Sequence, residues 1–468
     1  MTDPQESLLS RHAGSYVDPA GTAYDCGDYY LRGIRTGYAE FYAKLLEHPT
    51  IISMLGSDIV ETTIESDTME AYPLTLRHRK LSPLSYCYEW PAQMLRDAAL
   101  LTLDICIRLV DDKMVLQDAS PWNIVFDGSR PILVDFTSII IEDPHLLWVA
   151  YDQFCRLFLY PILVASCRSR KVARRLLVDQ IGGIDHADLR NLLPMNALLR
   201  MPWLLDRIYL PLLAVSIIGK IGKDKSLAEQ TGRFSPSSLA RRFFFSSLRR
   251  NIESIPLRVG KSFWSQYYTD IRSFTRPAAF DLKQSAIAGL LERYKPRTLV
   301  DIGCNRGGYS VLAANAGARV VAFDTDEDSI ALLYKYARQE NLPILPLVMD
   351  ALNPSPACGW RAMEFPAAPM RLRSEMALAL ALVHHLAITQ RQTFERIVAT
   401  MADYAEKWLV TEFVPLDDPR SIELLETHRR DMGWYSFEGF VACLQTVFKK
   451  VESIPSHPKG RSLLLCIK

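Results

Sequence analysis

The sequence predicts an α/β fold, centred on residues 261–468, where an open and mostly parallel sheet carries helices on both faces. Three stretches predict it. Thr298 to Ile302 is a short apolar run that leads into the glycine-bearing turn Gly303 to Gly307, and a helical pattern opens near Gly308 and continues through Val311, Leu312, Ala313 and Ala314. Ala318 to Asp324 is a β-branched strand ending in an acid, 23 residues beyond Asp301. Leu342 to Asp350 is a third strand, again closed by an acid and followed by Ala351. A strand, a tight loop and a helix, followed by strands ending in carboxylates, form the pattern of a doubly wound sheet. Such sheets bind ligands beyond the carboxyl ends of their strands.

The loop carries the chemistry. Gly303 and Gly307 have no Cβ, so the backbone can turn sharply and approach a ligand. The helix that follows directs its free N–H groups at whatever lies over the loop. Asp324, at a strand end, is placed to accept hydrogen bonds from ribose hydroxyls. A dinucleotide site wants Gly-x-Gly-x-x-Gly, so that pyrophosphate meets bare backbone. Here the order is Asp301-x-Gly303-x-x-x-Gly307, with Asn305 where a middle glycine would stand. An acid two residues before the first glycine repels a pyrophosphate and suits the ammonium of a methionine-like tail. The loop therefore favours S-adenosylmethionine, and it resembles motif I of the class I methyltransferases. In that superfamily the pair equivalent to Asp350 and Ala351 contacts the adenine amino group. The resemblance implies that Asp301, Gly303 and Gly307 hold the methionine end, Asp324 the ribose, and Asp350 with Ala351 the adenine. Asn305 and Tyr309 complete the expected cofactor-binding set.

Composition bounds the remainder. Length alone suggests about three domains of ~150 residues. A chain with 49% apolar residues can build large cores, and a net charge of +1 gives no general attraction to nucleic acid or anionic membrane. Nine scattered cysteines without a Cys-x-x-Cys read as reduced thiols in a cytoplasm, and no metal site is expected. The first fifteen residues have no apolar core and do not read as a signal peptide. The longest apolar run, Ile208 to Gly219, is interrupted by Pro211 and is too short to span a bilayer.

Before the α/β domain, residues 1–145 are read as one mixed α+β domain and 146–260 as a helical connector. Residues 1–35 are polar and turn-rich and are expected to pack late or fray. Tyr38 to Leu55 reads as a helix, Ile59 to Ile64 as a strand, and Pro91 to Val110 as a long buried helix. Two short strands flank the turn Asp127-Gly128, a hairpin signal. Asp118, Asn123 and Asp135 are expected at one end of it. Their order, Asp-x4-Asn and then Asp-Phe, resembles the catalytic loop and metal-binding acid of kinase-like phosphotransferases. No glycine-rich phosphate loop with its strand lysine stands upstream, so the domain is read as a degenerate, non-phosphorylating lobe. Glu142 to Lys220 is mostly helical, and Gly219 to Ser238 reads as a linker. Arg241 to Arg250 interleaves basic and aromatic residues and is read as an amphipathic helix with three buried phenylalanines. In Ser262 to Phe274, Trp264, Tyr267 and Tyr268 could stack on a ligand or pack in a core.

Phe280 to Tyr294 reads as the helix leading into the sheet, Glu375 to Val383 as a fourth strand and Trp408 to Phe413 as a fifth. Val447 to Ile454 and Ser462 to Ile467 read as an antiparallel closing pair, completing seven strands. His384 and His385 fall at the mouth of the site, and an imidazole there could take a proton from an acceptor. Glu412, near the end of the fifth strand, is the third catalytic candidate.

Across nearly its full length the chain resembles bacterial methyltransferase-like proteins related to the host-specific nodulation protein NoeA. The resemblance is carried by Tyr88 to Trp90, Leu116 to Asn123, Asp301 to Gly307, Asn353 to Trp360, Leu380 to Ile388 and Glu412 to Pro415. It implies a Rossmann-like class I methyltransferase fold and S-adenosylmethionine as cofactor, without fixing an acceptor. One departure is that Ala402 to Lys407 stands where such enzymes commonly carry a Lys-Pro-Gly-Gly turn. The expected activity is direct displacement of a methyl group by a hydroxyl or amine of a small molecule or saccharide, a biosynthetic role. Rival readings are an RNA methyltransferase, suggested by Gly307 to Ser310 but lacking a lysine–acid tetrad and a basic surface, an inert cofactor-binding module, and an NAD-dependent oxidoreductase. Nucleic acid is not an expected partner, and oligomeric state is not encoded in any feature found.

Overall fold

The computed structural model describes residues 10–12, 14–15, 18–67, 69, 71–194, 196–197, 201–204, 235–260, 262 and 271–468. It divides into two compact units. One comprises Met1–Val125 and Pro131–Arg258, and the other Phe126–Arg130 and Val259–Lys468. Apart from Phe126–Arg130 and residues 259–260, the ranges 1–145 and 146–260, expected as two domains, thus share one compact unit. The apolar run 208–219, most of the linker and Trp264, Tyr267 and Tyr268 lie outside the described residues.

The first unit opens with a five-stranded antiparallel sheet in the order β1-β2-β3-β5-β4. Its strands are β1 (Ser10–Arg11), β2 (Gly21–Asp25), β3 (Tyr29–Ile34), β4 (Thr62–Ile64) and β5 (Leu74–Arg79). For residues 21–34 the expectation of fraying is therefore corrected. β3 is paired on both sides and buries Leu31 and Ile34. Only alternate residues of these strands face inward, so their polar half reads as loop. The helix expected over Tyr38 to Leu55 is two, Thr36–Leu46 and Pro49–Ile52, because proline at 49 can open a helix but not continue one. Ala92–Leu109 is the long buried helix. β6 (Met114–Leu116) pairs with β9 (Ile139–Ile141), and β7 (Ile124–Asp127) with β8 (Arg130–Leu133) around Gly128 at φ +61°.

In the helix Ser238–Ser254, Phe244 and Phe245 are buried but Phe243 is 64% exposed, so two phenylalanines are inside, not three. Arg241, Phe244, Phe245, Leu248 and Ile252 share one helical face, and Phe243 falls one residue, about 100°, off it.

The second unit is built on a seven-stranded sheet in the order β12-β11-β10-β13-β14-β16-β15. Its strands are β10 (Thr298–Ile302), β11 (Arg319–Asp324), β12 (Ile344–Val348), β13 (Ser374–Ala379), β14 (Ala405–Phe413), β15 (Lys450–Pro455) and β16 (Ser462–Ile467). β10 to β14 run parallel, and β16 runs antiparallel to β14 and β15. This is a Rossmann-like sheet of seven strands closed by an antiparallel pair, as the sequence predicts. The inner strands are covered on both faces and are accordingly continuous apolar runs. Leu299, Val311, Ala322, Leu333, Ile344 and Leu378 meet in its core.

Local chemistry sets the helix starts. Asp281 and Gln284 form a capping box on Leu282–Tyr294, and the Asp326 side chain accepts from Ser329 N to cap Glu327–Gln339. β13 ends at Ala379, earlier than the expected Val383, where Ala381 takes φ +50°. In place of the missing Lys-Pro-Gly-Gly turn, the helix Phe394–Tyr404 runs directly into β14. Strand order reverses between β10 and β13, the point at which doubly wound sheets open a crevice.

Candidate active site

The crevice holds a cavity of ≈ 270 Å³ whose wall includes Asp301, Gly303, Asn305, Tyr309, Asp324, Asp350, Ala351, His384 and His385. The topology brings these together because each follows or ends an adjacent parallel strand. Of the predicted set, Gly307 and Glu412 are not in the wall.

The glycine loop is shaped as its sequence requires. Gly303 and Gly307 sit at φ +70° and +74°, and Asn305 at +52°. Gly303 N and Cys304 N donate to Phe323 O at 2.9 and 3.1 Å, tying the turn to the end of β11. Gly307 packs against the next helix, where a Cβ would stand 2.5 Å from Leu333 Cδ2. Its role is close packing, which explains its absence from the wall. Gly307→Ala combines a left-handed backbone with that clash and is expected to cost about 1–3 kcal/mol, read as a lower denaturation midpoint. An unchanged midpoint would refute the packing role.

Asp324 ends β11 and accepts Asn305 N at 2.8 Å and Asp326 N at 2.9 Å. Burial raises its pKa, while those N–H bonds oppose the rise. Asp301, 2% exposed, accepts Ser310 Oγ at 2.6 Å. Burial pushes its pKa up to about 6, and the nearby Asp324 charge adds to that. A cation in this cavity would relieve both acids, which suits an ammonium or sulfonium and not a pyrophosphate. Asp350 caps its own turn, accepting Leu352 N at 3.0 Å.

His384 is 1% exposed, and its buried Nδ1 has no hydrogen-bond partner among the described residues. Its ring centroid lies 4.2 Å from that of His385. Burial first, then neighbouring positive charge, lowers the pKa of His384 to about 2 and of His385 to about 4. Both rings are neutral at physiological pH.

Glu412 corrects the expectation of a catalytic acid at the mouth. It is fully buried and accepts Lys283 Nζ at 2.6 Å, Ala381 N at 2.9 Å and Ser456 Oγ at 2.8 Å. It anchors the turn between β13 and the histidines. Lys283, Arg420 and Arg461 also line the cavity, and sequence reading missed all three. Lys283 lies in the first turn of Leu282–Tyr294 with its ammonium 5.1 Å from the Tyr309 ring centroid, and no local motif marks it. Among the described residues no cluster of three or more metal-ligating side chains occurs, and no helix is long and apolar enough to cross a membrane.

Against known proteins, the family model described as tellurite resistance protein TehB matches residues 266–355. Nodulation protein NoeA of Rhizobium meliloti (strain 1021) is 28% identical over 445 residues, 93% of this chain and 91% of that one. Solved structures that match include magnesium protoporphyrin IX methyltransferase (ChlM) from Synechocystis PCC 6803 with bound SAH, at 14% identity and TM-score 0.29, covering 39% of this chain and 81% of that one. TehB from Haemophilus influenzae matches at 16% identity and TM-score 0.27, covering 44% and 66%. The chain resembles NoeA. The TehB match lies over the glycine turn and the first three strands of the second unit.

Proposed function

We propose that the second unit transfers the methyl group of S-adenosylmethionine to a hydroxyl or amine of a small molecule or saccharide, with His384 or His385 receiving the proton. The observation that carries this reading is a single cavity that gathers Asp301 and Asp324 with His384 and His385, both rings neutral. When bound, the cofactor supplies an electrophilic methyl group on a sulfonium. Positive charge disperses as that group moves, so the protein's task is alignment and proton acceptance, not anion stabilisation. Asp301 faces the cationic end, Asp324 accepts from the ribose, and Asp350 with Ala351 meets the adenine. Gly303 and Asn305 supply the close backbone approach, and Tyr309 lines the same cavity. Glu412 positions, through Lys283 and Ala381, and does not touch the reacting atoms.

Calorimetry with S-adenosylmethionine, paired with labelled-methyl transfer into fractionated cell extract, tests this. His384→Ala should cut turnover by about 10²–10⁴-fold with cofactor affinity unchanged. Because both imidazoles stay neutral until pH falls to about 4, turnover at saturating cofactor should show no inflection near 6.5. Unchanged turnover in both His384→Ala and His385→Ala would sink the assignment. Cofactor binding without transfer to any fraction would favour the inert module.

For the first unit, the kinase-like, non-phosphorylating reading is supported by how its acids are held. Arg32 Nη1 bonds Asp18 Oδ2 at 2.7 Å and Asp135 Oδ1 at 3.1 Å, so a guanidinium already neutralises the acid that would hold Mg²⁺. Asp118 is bound instead by Gln153 Nε2 at 3.4 Å. Labelled ATP with Mg²⁺ should leave protein and extract fractions unlabelled above background, and transfer dependent on Asp135 would refute this. Nine free cysteines accord with the cytoplasmic location that belongs to this reading.

A further inference from the structure

We infer that the acceptor carries an anionic oxygen group, seated by Arg420 and Arg461 beside the two histidines. This rests on the methyl-transfer reading above and adds a substrate class to it. The cofactor acids close β10, β11 and β12, on one side of the reversal in strand order. Arg420 follows β14 and Arg461 precedes β16, on the other side, where His384 and His385 also lie. A ligand reaching the histidines from that side meets two guanidinium groups in the cavity wall.

One buried carboxylate presents both. Asp418, 6% exposed, accepts Arg461 Nε at 2.8 Å and Arg461 Nη2 at 3.0 Å, a bidentate pair that fixes the fork. The same side chain accepts Arg420 N at 2.9 Å and caps the ten-residue helix Pro419–His428, whose N-terminus adds a favourable field for an anion. Arg420 pairs with Glu423 at 2.9 Å across an exposed helical turn, a contact worth little and easily exchanged for a ligand oxygen. His384, whose buried Nδ1 has no hydrogen-bond partner among the described residues, belongs to the same wall. Among the described residues of the wall, Asp301, Asp324 and Asp350 all lie on the cofactor side.

The source of the anion is either the acceptor or the methionine carboxylate of the cofactor, and one titration separates them. Inorganic phosphate is titrated calorimetrically into the full chain saturated with S-adenosylhomocysteine, and into the chain without it. Phosphate should bind the loaded wild type and bind Arg420→Gln at least tenfold more weakly, with Arg420→Lys intermediate. S-adenosylhomocysteine affinity should stay within twofold in both variants. Phosphate binding only without S-adenosylhomocysteine would assign the arginines to the methionine carboxylate and overturn the inference. So would no binding to loaded wild type, or equal binding to Arg420→Gln. Failure to bind S-adenosylhomocysteine at all would instead strike the methyltransferase reading itself.

Discussion

Glu412→Ala is expected to destabilise the second unit by about 3–5 kcal/mol, the usual cost of breaking a buried ion pair by removing one partner. Lys283 and Glu412 are 6% and 0% exposed at the side chain and 2.6 Å apart, so truncation leaves an ammonium in the protein interior without its counter-ion. Two further donors, Ala381 N and Ser456 Oγ, lose their acceptor at once. Each such orphan adds about 1–3 kcal/mol if water cannot reach it. Denaturant unfolding should therefore show an earlier transition for the second unit. Replacing both charges, Lys283→Met with Glu412→Leu, should recover much of the loss, because the charge no longer needs a partner. A catalytic Glu412 behaves otherwise, with normal unfolding and no transfer. That outcome would return it to the reacting centre and remove it from the role assigned here.

The parts of this site that were legible in the sequence are those whose chemistry is local. Gly303, Asn305 and Asp301 sit within five residues of one another, and their positive φ values and strand-end position follow from residue type and spacing. Asp324 and Asp350 are read the same way, each at the end of an apolar run. Gly307 takes the left-handed φ its residue type allows, but its close neighbour is Leu333 on the next helix, which spacing does not reveal. Arg420 and Arg461 are separated from the loop by many residues and reach the cavity because β14 and β16 adjoin in the sheet, and Lys283 reaches it from the helix that leads into β10. Glu412 shows the opposite error. Its place near a strand end is right, but whether a carboxylate is free or already bound depends on Lys283, 129 residues away. In the first unit, β2 and β3 were hidden because a sheet with one polar face looks like loop when pairing partners are unknown.

Asp301→Asn should move stability and cofactor affinity in opposite directions. In the folded chain burial holds this carboxyl at about 6, above its ordinary value of 3.8. A carboxyl raised on folding opposes the fold whenever it must be charged, so its cost is complete above about pH 6 and vanishes as pH falls toward 4. The isosteric amide removes that cost and still accepts Ser310 Oγ, so the variant should gain on the order of 1–3 kcal/mol at pH 8 and about nothing at pH 4. Affinity for S-adenosylmethionine should fall by about 10²-fold or more, since a buried carboxylate facing a cation contributes about 3 kcal/mol. The same group sets a pH dependence in the wild type. As pH drops through about 6, Asp301 takes up a proton and affinity for the cationic cofactor should weaken, whereas the variant should show a flat profile. Thermal denaturation at the two pH values and calorimetry from pH 5 to 8 read these effects. If the variant is less stable at pH 8, or binds the cofactor as tightly as wild type, Asp301 is a structural acid held by Ser310, and the cationic end of the ligand must lie elsewhere in the cavity.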